Sequence, residues 1–282
     1  MSWIRDNTLN WFQRLVIRIL RTGHIPKHVA FIMDGNRRYA SKTGIEKIEG
    51  HTKGFDKFAE TLQWCTNLGI QEVTFYAFSI ENFKRKQEEV NGLLNLAEQK
   101  FQRLLGEKDK IRKHGLCVRI IGNLSLLPQN IQELIAETMI LTKEHNKGFL
   151  NIAFAYTSRD EITRAIKDVI EGVQNGDILS EDIDENLIFN CLYTNYSPNP
   201  DLLIRTSGEV RFSDFLMWQV KFNLWELLNA IFYYQRCYSD IQKVMKLQNV
   251  KQIMQNGRQS TYTDKLLHKR QMTLERIYLS NI

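Results

Sequence analysis

Three clusters of polar residues follow apolar runs, and each has the composition of a phosphate-binding segment. In the first, the apolar residues 28–33 are followed directly by Asp34, Gly35, Asn36, Arg37 and Arg38. A carboxylate here could hold Mg²⁺ through oxygen. The glycine and the following amides could cradle phosphate oxygens, and two guanidinium groups could pair with them bidentately. The alternative is an ordinary turn, since Asp-Gly is a common turn dipeptide.

The second cluster lies in residues 78–85. Ser79, Asn82 and Arg85 are spaced by three, so a helical turn would place them on one side. A polar loop that caps a helix is the alternative.

The third cluster follows the strand-like residues 201–205. Arg205, Arg211 and Ser213 could form a second phosphate site, because an arginine at the end of a buried strand requires an anion. A plain loop is again the alternative. Two such sites indicate either two phosphorylated substrates or one long one. The sequence lacks G-x-x-x-x-G-K-[ST], G-x-G-x-x-G and D-D-x-x-D, so it does not match the common nucleotide-binding loops or the all-helical, trans-type prenyl synthases.

Two further features fit this chemistry. His51 follows Gly50 and could contact phosphate or shuttle a proton, although a lone histidine is more often structural. Several apolar residues recur at helical spacing and predict either ordinary core packing or an apolar tunnel. They are Leu62, Trp64, Leu93, Leu94, Leu96, Phe101, Leu104 and Leu105.

The elements that must position these clusters alternate along the chain. Apolar runs predict strands at 28–33, 72–78, 117–121, 149–156 and 201–205. Periodic patterns predict helices at 50–68, 90–114 (ending at Gly115), 129–145 and 158–173, the last with a capping box at 158–161. The fold class is therefore α/β, with a central, mainly parallel sheet flanked by helices, and functional residues should gather at the carboxyl ends of the strands.

Composition restricts the class of protein. The net charge of +6 resides in the tail 236–282, because residues 1–235 carry 29 basic and 29 acidic residues. The tail carries no nucleic-acid recognition motif, so we expect no nucleic acid among the partners. Four cysteines without a C-x-x-C pair argue against a disulfide framework or a zinc site and favour a reducing compartment. No apolar run is long enough to span a bilayer, and nothing resembles a cleavable signal peptide.

Residues 1–24 predict an amphipathic helix. Trp3, Trp11 and Leu15 lie on its apolar side, and Arg14 and Arg18 lie between them. A helix of this kind suits a membrane interface. Packing on its own domain or on a partner is the alternative.

Four segments, 28–40, 50–51, 76–85 and 203–219, together resemble the cis-prenyltransferases (undecaprenyl diphosphate synthase-like), most of all the eukaryotic dehydrodolichyl diphosphate synthase catalytic subunits. The resemblance runs in order from residue 1 to about 219 and resumes at about 225–235. It implies the cis-prenyltransferase fold and Mg²⁺-dependent condensation of farnesyl diphosphate with successive isopentenyl diphosphates. The product would be a long-chain polyprenyl (dehydrodolichyl) diphosphate for dolichol synthesis and protein glycosylation.

The resemblance also implies roles for the residues of the three clusters. Asp34 would coordinate Mg²⁺ on the allylic diphosphate. The groups that hold this diphosphate would be Gly35, Asn36, Arg37, Arg38 and His51. The isopentenyl diphosphate would be held by Arg205, Arg211 and Ser213. Between the two, near the proton-removal step, would lie Ser79, Asn82 and Arg85.

By the same resemblance, the chain works with a non-catalytic subunit like the Nogo-B receptor, on the cytoplasmic side of the endoplasmic reticulum membrane. The predicted domains are a membrane or partner helix at 1–24, a catalytic domain at 25–235 and a basic helical tail at 236–282. The segment after Gln219 departs from the family, because a late strand and a Trp-Pro-acid segment are missing. A catalytically impaired or non-catalytic subunit of the same complex is therefore the alternative function.

Overall fold

The structure is a computed structural model that describes residue 3, residues 9–209, residues 211–220 and residues 257–279. Its sheet has five parallel strands in the order β3-β4-β2-β1-β5. The strands are β1 (His28–Ile32), β2 (Glu72–Ser79), β3 (Leu116–Ile121), β4 (Gly148–Tyr156) and β5 (Leu202–Arg205). All five predicted strands are confirmed within about two residues. Their continuous apolar runs form strands because helices cover both faces of a parallel sheet.

Helices connect the strands. They are α1 (Trp11–Leu20), α2 (Asn36–Thr43), α3 (Lys47–Leu68), α4 (Gln87–Gly106), α5 (Lys108–His114), α6 (Gln129–Thr142), α7 (Ser158–Gln174), α8 (Glu185–Cys191) and α9 (Gly257–Leu279). The single helix predicted at 90–114 was wrong, because the chain leaves the helix at Glu107, which separates α4 from α5. Gly115 ends α5 in the left-handed region, at φ 60°, as predicted.

The apolar core has three parts. One packs a face of the sheet against α3, α4 and α6, and includes Phe58, Phe75 and Phe101. A second lies on the opposite face, around Tyr156 and Phe215. A third joins α7 and α8 to α9. The sheet is thus covered on both faces.

The start of α7 differs from the predicted capping box. The N-cap is Thr157, whose hydroxyl accepts the N–H of Asp160. Ser158 is instead buried and accepts the N–H of Met217 at 2.8 Å. Glu161 lies inside the protein, where Tyr156 donates a hydrogen bond to it at 2.5 Å. The pattern that resembled a cap is therefore a buried polar contact between α7 and the loop after β5.

The N-terminal segment also differs from prediction. Helix α1 begins only at Trp11, and Trp3 lies apart from it, buried with its indole N–H donated to the carbonyl of Lys100 at 2.8 Å. Trp3 packs edge-on against Phe55 and Phe58. The periodicity that placed Trp3 on the apolar side of the helix was thus misleading. Helix α1 itself has no buried residue, and six of its seven apolar side chains are exposed.

Part of the predicted tail is described. Helix α9 packs Tyr262 and Leu266 against α7 and α8. The shortened segment predicted after Gln219 continues into residues 221–256, which lie outside the described residues. Among the helices that are described, none is both long and apolar enough to cross a bilayer.

Candidate active site

A cavity of about 630 Å³ opens at the carboxyl edge of the sheet. Every candidate site residue from the sequence lines it: Asp34, Gly35, Asn36, Arg37, Arg38, His51, Ser79, Asn82, Arg85, Arg205, Arg211 and Ser213. The strand register explains the convergence, since Ile32 pairs with Tyr76 on one side and with Arg205 on the other. The roles assigned to these residues stay predictions.

The cavity is strongly basic. Six arginines line it, against three carboxylates. The arginines are Arg37, Arg38, Arg85, Arg159, Arg205 and Arg211, and the carboxylates are Asp34, Glu81 and Asp214. Glu89 and Glu209, outside the lining, pair with some of these arginines. An excess of guanidinium groups in a concave site favours a multiply charged anion such as a diphosphate.

Asp34 lies on the wall of this cavity. Its Oδ1 accepts the N–H of Gly35 at 2.6 Å, and its Oδ2 accepts a hydrogen bond from the Arg205 guanidinium at 2.7 Å. Partial burial opposes ionisation, but these contacts and the charge of Arg38 outweigh it and lower the pKa of Asp34. Gly35 has φ 95° and approaches Ser207 so closely that a side chain would clash. Asp34 is therefore held as a carboxylate.

The donor set fits a magnesium ion shared with substrate. The described residues contain no cluster of three or more His, Cys, Asp or Glu side chains that could hold a metal by themselves. Mg²⁺ is usually bound by one or two carboxylates together with substrate phosphates. One ionised Asp34 beside arginines that suit a diphosphate is a donor set of that kind.

Arg205 connects Asp34 to the third cluster. Its side chain is only 8% exposed, and its guanidinium also donates to the Ser213 hydroxyl at 2.8 Å and to the Arg211 carbonyl. Its buried Nε has no hydrogen-bond partner among the described residues. A buried guanidinium with unused donors is suited to an incoming anion.

The second cluster forms a tight turn at the end of β2. Residues Ile80–Lys84 are a 3₁₀ helix in which the Ser79 hydroxyl accepts the N–H of Glu81, and Asn82 Oδ1 accepts the N–H of Ser79. Because a 3₁₀ helix has three residues per turn, Ser79, Asn82 and Arg85 fall on one side. They serve as a cap and line the cavity at the same time.

His51 lies where the charged cavity meets a second, apolar one. Its buried Nε2 has no hydrogen-bond partner in the part of the chain described. Burial, together with the nearby charges of Arg85 and Arg37, lowers its pKa, so the ring is neutral near pH 7 in the free protein. Asn36 lies at the same junction and approaches Gly54, where a Cβ atom would come within 2.5 Å of its Oδ1.

The apolar cavity measures about 150 Å³. Of the predicted tunnel residues, Leu93, Leu96 and Phe101 line it. The other five do not line it. Leu62, Leu104 and Leu105 are buried core, Leu94 packs on that core, and Trp64 is 46% exposed. The eight predicted residues therefore include both core residues and residues that line the cavity. Trp3, Lys100 and the phenylalanines of the core also line this space.

Several residues of the charged cavity were missed by sequence reasoning. Arg159 stands 75% exposed at the cavity and forms ion pairs with Asp214 at 2.6 Å and with Glu81 at 3.7 Å. The hydroxyl of Tyr76 donates to the carbonyl of Tyr156 at 3.0 Å and lies 3.3 Å from that of Ser213. The one available signal was that Arg159 follows a predicted strand, as the other site arginines do.

Three comparisons agree with this geometry. The family model described as "Putative undecaprenyl diphosphate synthase" matches residues 32–261. A dehydrodolichyl diphosphate synthase complex subunit of Homo sapiens is 51% identical over 284 positions, which cover 95% of this chain and 85% of the human protein. A tritrans,polycis-undecaprenyl-diphosphate synthase (geranylgeranyl-diphosphate specific) of Pyrococcus abyssi (strain GE5 / Orsay) is 44% identical over 212 positions, covering 75% of this chain and 80% of that protein.

Among solved structures, lavandulyl diphosphate synthase from Lavandula x intermedia in complex with dimethylallyl diphosphate matches with a TM-score of 0.67 and 31% identity. The match covers 74% of this chain and 95% of that one. The alignment with the human protein has 284 positions, more than the 282 residues of this chain, and yet it includes only 95% of this chain. Some aligned positions of the human protein therefore have no counterpart in this chain. With the fold, the charged cavity and these matches in agreement, this chain belongs to the cis-prenyltransferase family.

Proposed function

We propose that this chain elongates prenyl chains in the cis configuration. It condenses farnesyl diphosphate with successive isopentenyl diphosphates to a long-chain polyprenyl (dehydrodolichyl) diphosphate, for dolichol synthesis and protein glycosylation. One observation carries the proposal: the basic cavity and the apolar cavity share walls, among them Asn36, His51 and Leu93. A substrate with a diphosphate head and a hydrocarbon tail fits such a pair of spaces.

Different residues serve different steps of the proposed reaction. The cluster at 34–38, with His51, holds the allylic diphosphate over the mouth of the apolar cavity. Arg205, Arg211 and Ser213 hold the isopentenyl diphosphate beside it, so that its double bond faces the allylic carbon. The allylic C–O bond breaks, its electron pair leaves with the diphosphate, and arginines stabilise that charge. The π electrons of the isopentenyl group form the new C–C bond.

A proton must then leave the isopentenyl-derived carbon, and a phosphate oxygen of the diphosphates accepts it. Ser79, Asn82 and Arg85 lie on the turn between the two diphosphate positions and orient this step. When bound, Mg²⁺ supplies Lewis acidity to the departing diphosphate, with Asp34 as its protein ligand. The neutral ring of His51 can donate one hydrogen bond to a phosphate oxygen, and a bound diphosphate would favour its protonation.

One surface and one relative support the proposed setting. Helix α1 exposes Trp11, Phe12 and Ile19, and Arg14 and Arg18 lie beside this apolar surface, a composition suited to a membrane interface. We infer that α1 binds the cytoplasmic surface of the endoplasmic reticulum membrane, which receives the product. The human relative is named a complex subunit, and a non-catalytic subunit like the Nogo-B receptor is the partner we propose.

The test is incorporation of radiolabelled isopentenyl diphosphate. The full chain is co-expressed with the proposed partner subunit and assayed with farnesyl diphosphate and Mg²⁺, beside an Asp34→Ala variant and an Asp177→Ala control whose carboxylate pairs with Lys265 away from the cavity. We expect long-chain product from the wild type and the control, and a loss of at least about 10²-fold in Asp34→Ala.

Two results would overturn the proposal. If the folded complex gives no product, the enzymatic function is wrong for this chain and the non-catalytic alternative replaces it. If Asp34→Ala retains full activity, the assignment of Asp34 to the diphosphate and its metal is wrong.

A further inference from the structure

The loop after β5 adopts a strained backbone where it reaches the cavity. Ser207, Ser213, Asp214 and Leu216 have φ values of 71°, 50°, 59° and 49°. Left-handed conformations are unfavourable for residues other than glycine and persist only where the surroundings hold them. Because Ser213 lines the cavity, the position of its hydroxyl depends on what holds this loop.

The first turn of α7 holds it. The Asp214 carboxylate accepts two hydrogen bonds from Arg159, one from the backbone N–H at 3.2 Å and one from Nε at 2.6 Å. The Asp214 carbonyl accepts the N–H of Ser158 at 2.8 Å. A carboxylate at the amino end of a 17-residue helix also interacts favourably with the helix dipole. The side chain of Asp214 is only 12% exposed, whereas that of Arg159 is 75% exposed, so the carboxylate is the buried partner of this pair.

Arg159 joins this loop to the turn at the end of β2. Its guanidinium lies 3.7 Å from Glu81, which belongs to the 3₁₀ helix that carries Asn82. Arg159 therefore stands between the two segments assigned to diphosphate binding and proton removal. Glu81 and Asp214 both face it from the cavity wall.

We propose that Asp214, acting through Arg159, is a positioning residue that sets the affinity for isopentenyl diphosphate. The inference rests on the proposed function, since it uses the assignment of Arg205, Arg211 and Ser213 to that substrate. Asp214 fixes the adjacent Ser213, whose hydroxyl meets the Arg205 guanidinium at 2.8 Å. Without the carboxylate the loop relaxes. Arg211 and Ser213, which hold isopentenyl diphosphate together with Arg205, then move away from Arg205.

Four variants separate this role from simple loss of structure. Asp214→Ala removes the acceptor, and Asp214→Gly removes it while relieving the left-handed strain. Asp214→Asn keeps a neutral acceptor for the Arg159 N–H, and Arg159→Gln changes an exposed side chain that folding tolerates. Asp177→Asn is the matched control, because its ion pair with Lys265 has the same 2.6 Å length and lies outside the cavity.

The readout is the Michaelis constant of each substrate, measured in the full complex. We expect Asp214→Ala and Asp214→Gly to raise the KM for isopentenyl diphosphate at least about tenfold. The KM for farnesyl diphosphate should stay within about twofold of the wild-type value. Asp214→Asn and Arg159→Gln should fall between these and the control. The inference is overturned if both constants rise together, if neither rises, or if Asp214→Gly behaves as the wild type.

Calorimetric titration of isopentenyl diphosphate keeps the two proposals distinguishable. If the wild type has no turnover, the proposed function fails, and the inference is judged on binding alone. Weaker binding by Asp214→Ala than by the control then supports it, and equal binding refutes it.

Discussion

The two ends of the sheet each hold a polar layer with a histidine, and the layers are built differently. At the amino end, the ring of His28 lies 2.7 Å from the Thr74 hydroxyl, and its other nitrogen lies 2.7 Å from a backbone carbonyl. Asn151 donates to Glu72 at 2.6 Å and contacts Thr74 and Ser197 at 3.0 Å. At the carboxyl end, His51 Nε2 and Arg205 Nε have no partner among the described residues.

The difference separates stability from function. The amino-end layer pairs its charged groups with one another and leaves only a neutral acceptor, Asn151 Oδ1, without a partner among the described residues of that layer. It also joins the residues before β5 to the sheet, so its contacts contribute to folding. The carboxyl-end layer concentrates like charges and leaves donors unused, which favours an anion at the expense of stability. Changes at the carboxyl end should therefore reduce activity, and changes at the amino end should reduce stability.

The largest effect is expected for Arg205→Gln. We expect kcat/KM to fall about 10²- to 10³-fold, because in the proposed function the guanidinium stabilises the diphosphate, and it also holds Asp34. The urea midpoint should hold or rise, since the substitution removes one of several clustered positive charges. Lys265→Gln, which breaks an ion pair of similar length outside the cavity, is the control. If Arg205→Gln lowers the urea midpoint and the folded fraction of the variant stays active, the proposed difference between the two ends is wrong.

Glu72→Gln tests the amino end. The carboxylate is 5% exposed, accepts from Asn151 and lies 3.5 Å from the Arg119 guanidinium. Removing one partner of a buried pair leaves the other unpaired, so we expect a loss of about 3 kcal/mol of unfolding free energy with kcat/KM unchanged. Urea denaturation measures the unfolding free energy. The exposed Glu171→Gln, whose carboxylate pairs with Lys269, should leave the midpoint in place. A large fall in kcat/KM with an unchanged midpoint would contradict the assignment of Glu72 to stability.

Gly54→Ala should affect the site more mildly. The added Cβ would lie 2.5 Å from Asn36 Oδ1, so the asparagine must shift where the charged and apolar cavities meet. We expect the KM for the allylic substrate to rise about tenfold and that for isopentenyl diphosphate to hold. Gly92→Ala, also on a helix, meets only Ile48 at 3.3 Å and should change neither constant. Equal behaviour of the two variants would show that Asn36 tolerates displacement.

Sequence reasoning recovered the carboxyl end better than the amino end. Polar clusters such as 34–38 stand out directly after apolar runs, and parallel strands bring such clusters to one edge. His28, Thr74 and Asn151 gave no comparable signal, because single polar residues within strands look ordinary until the register places them side by side. Thr74 and Asn151 are paired across β2 and β4, a relation that only the sheet order reveals.

The misplaced elements have similar physical causes. Helical periodicity predicted one helix at 90–114, but it does not register the break at Glu107, which also accepts the backbone N–H of Trp3. Trp3 matched the spacing of α1 by coincidence, and its burial depends on α3 and α4, far along the chain. Arg159 looked like part of a cap, and its role depends on Asp214, 55 positions away. In each case a tertiary contact overrides a local pattern.

The smallest expected effect is the pH dependence that His28 gives to stability. Burial lowers its pKa below the usual 6.5, and the charge of Arg119 adds to this, while Glu72 and Asp201 oppose it. The unfolded chain therefore binds a proton more readily than the folded one. The stability from neutral His28 is complete above pH 6.5 and is lost as pH falls below that value toward the folded pKa. Urea midpoints from pH 7.5 to 5.0 measure this, with His28→Gln as the comparison. The variant should start less stable and decline less steeply. Parallel decline of the two proteins would mean that the acid sensitivity arises elsewhere, and that the amino end stabilises the fold without titrating.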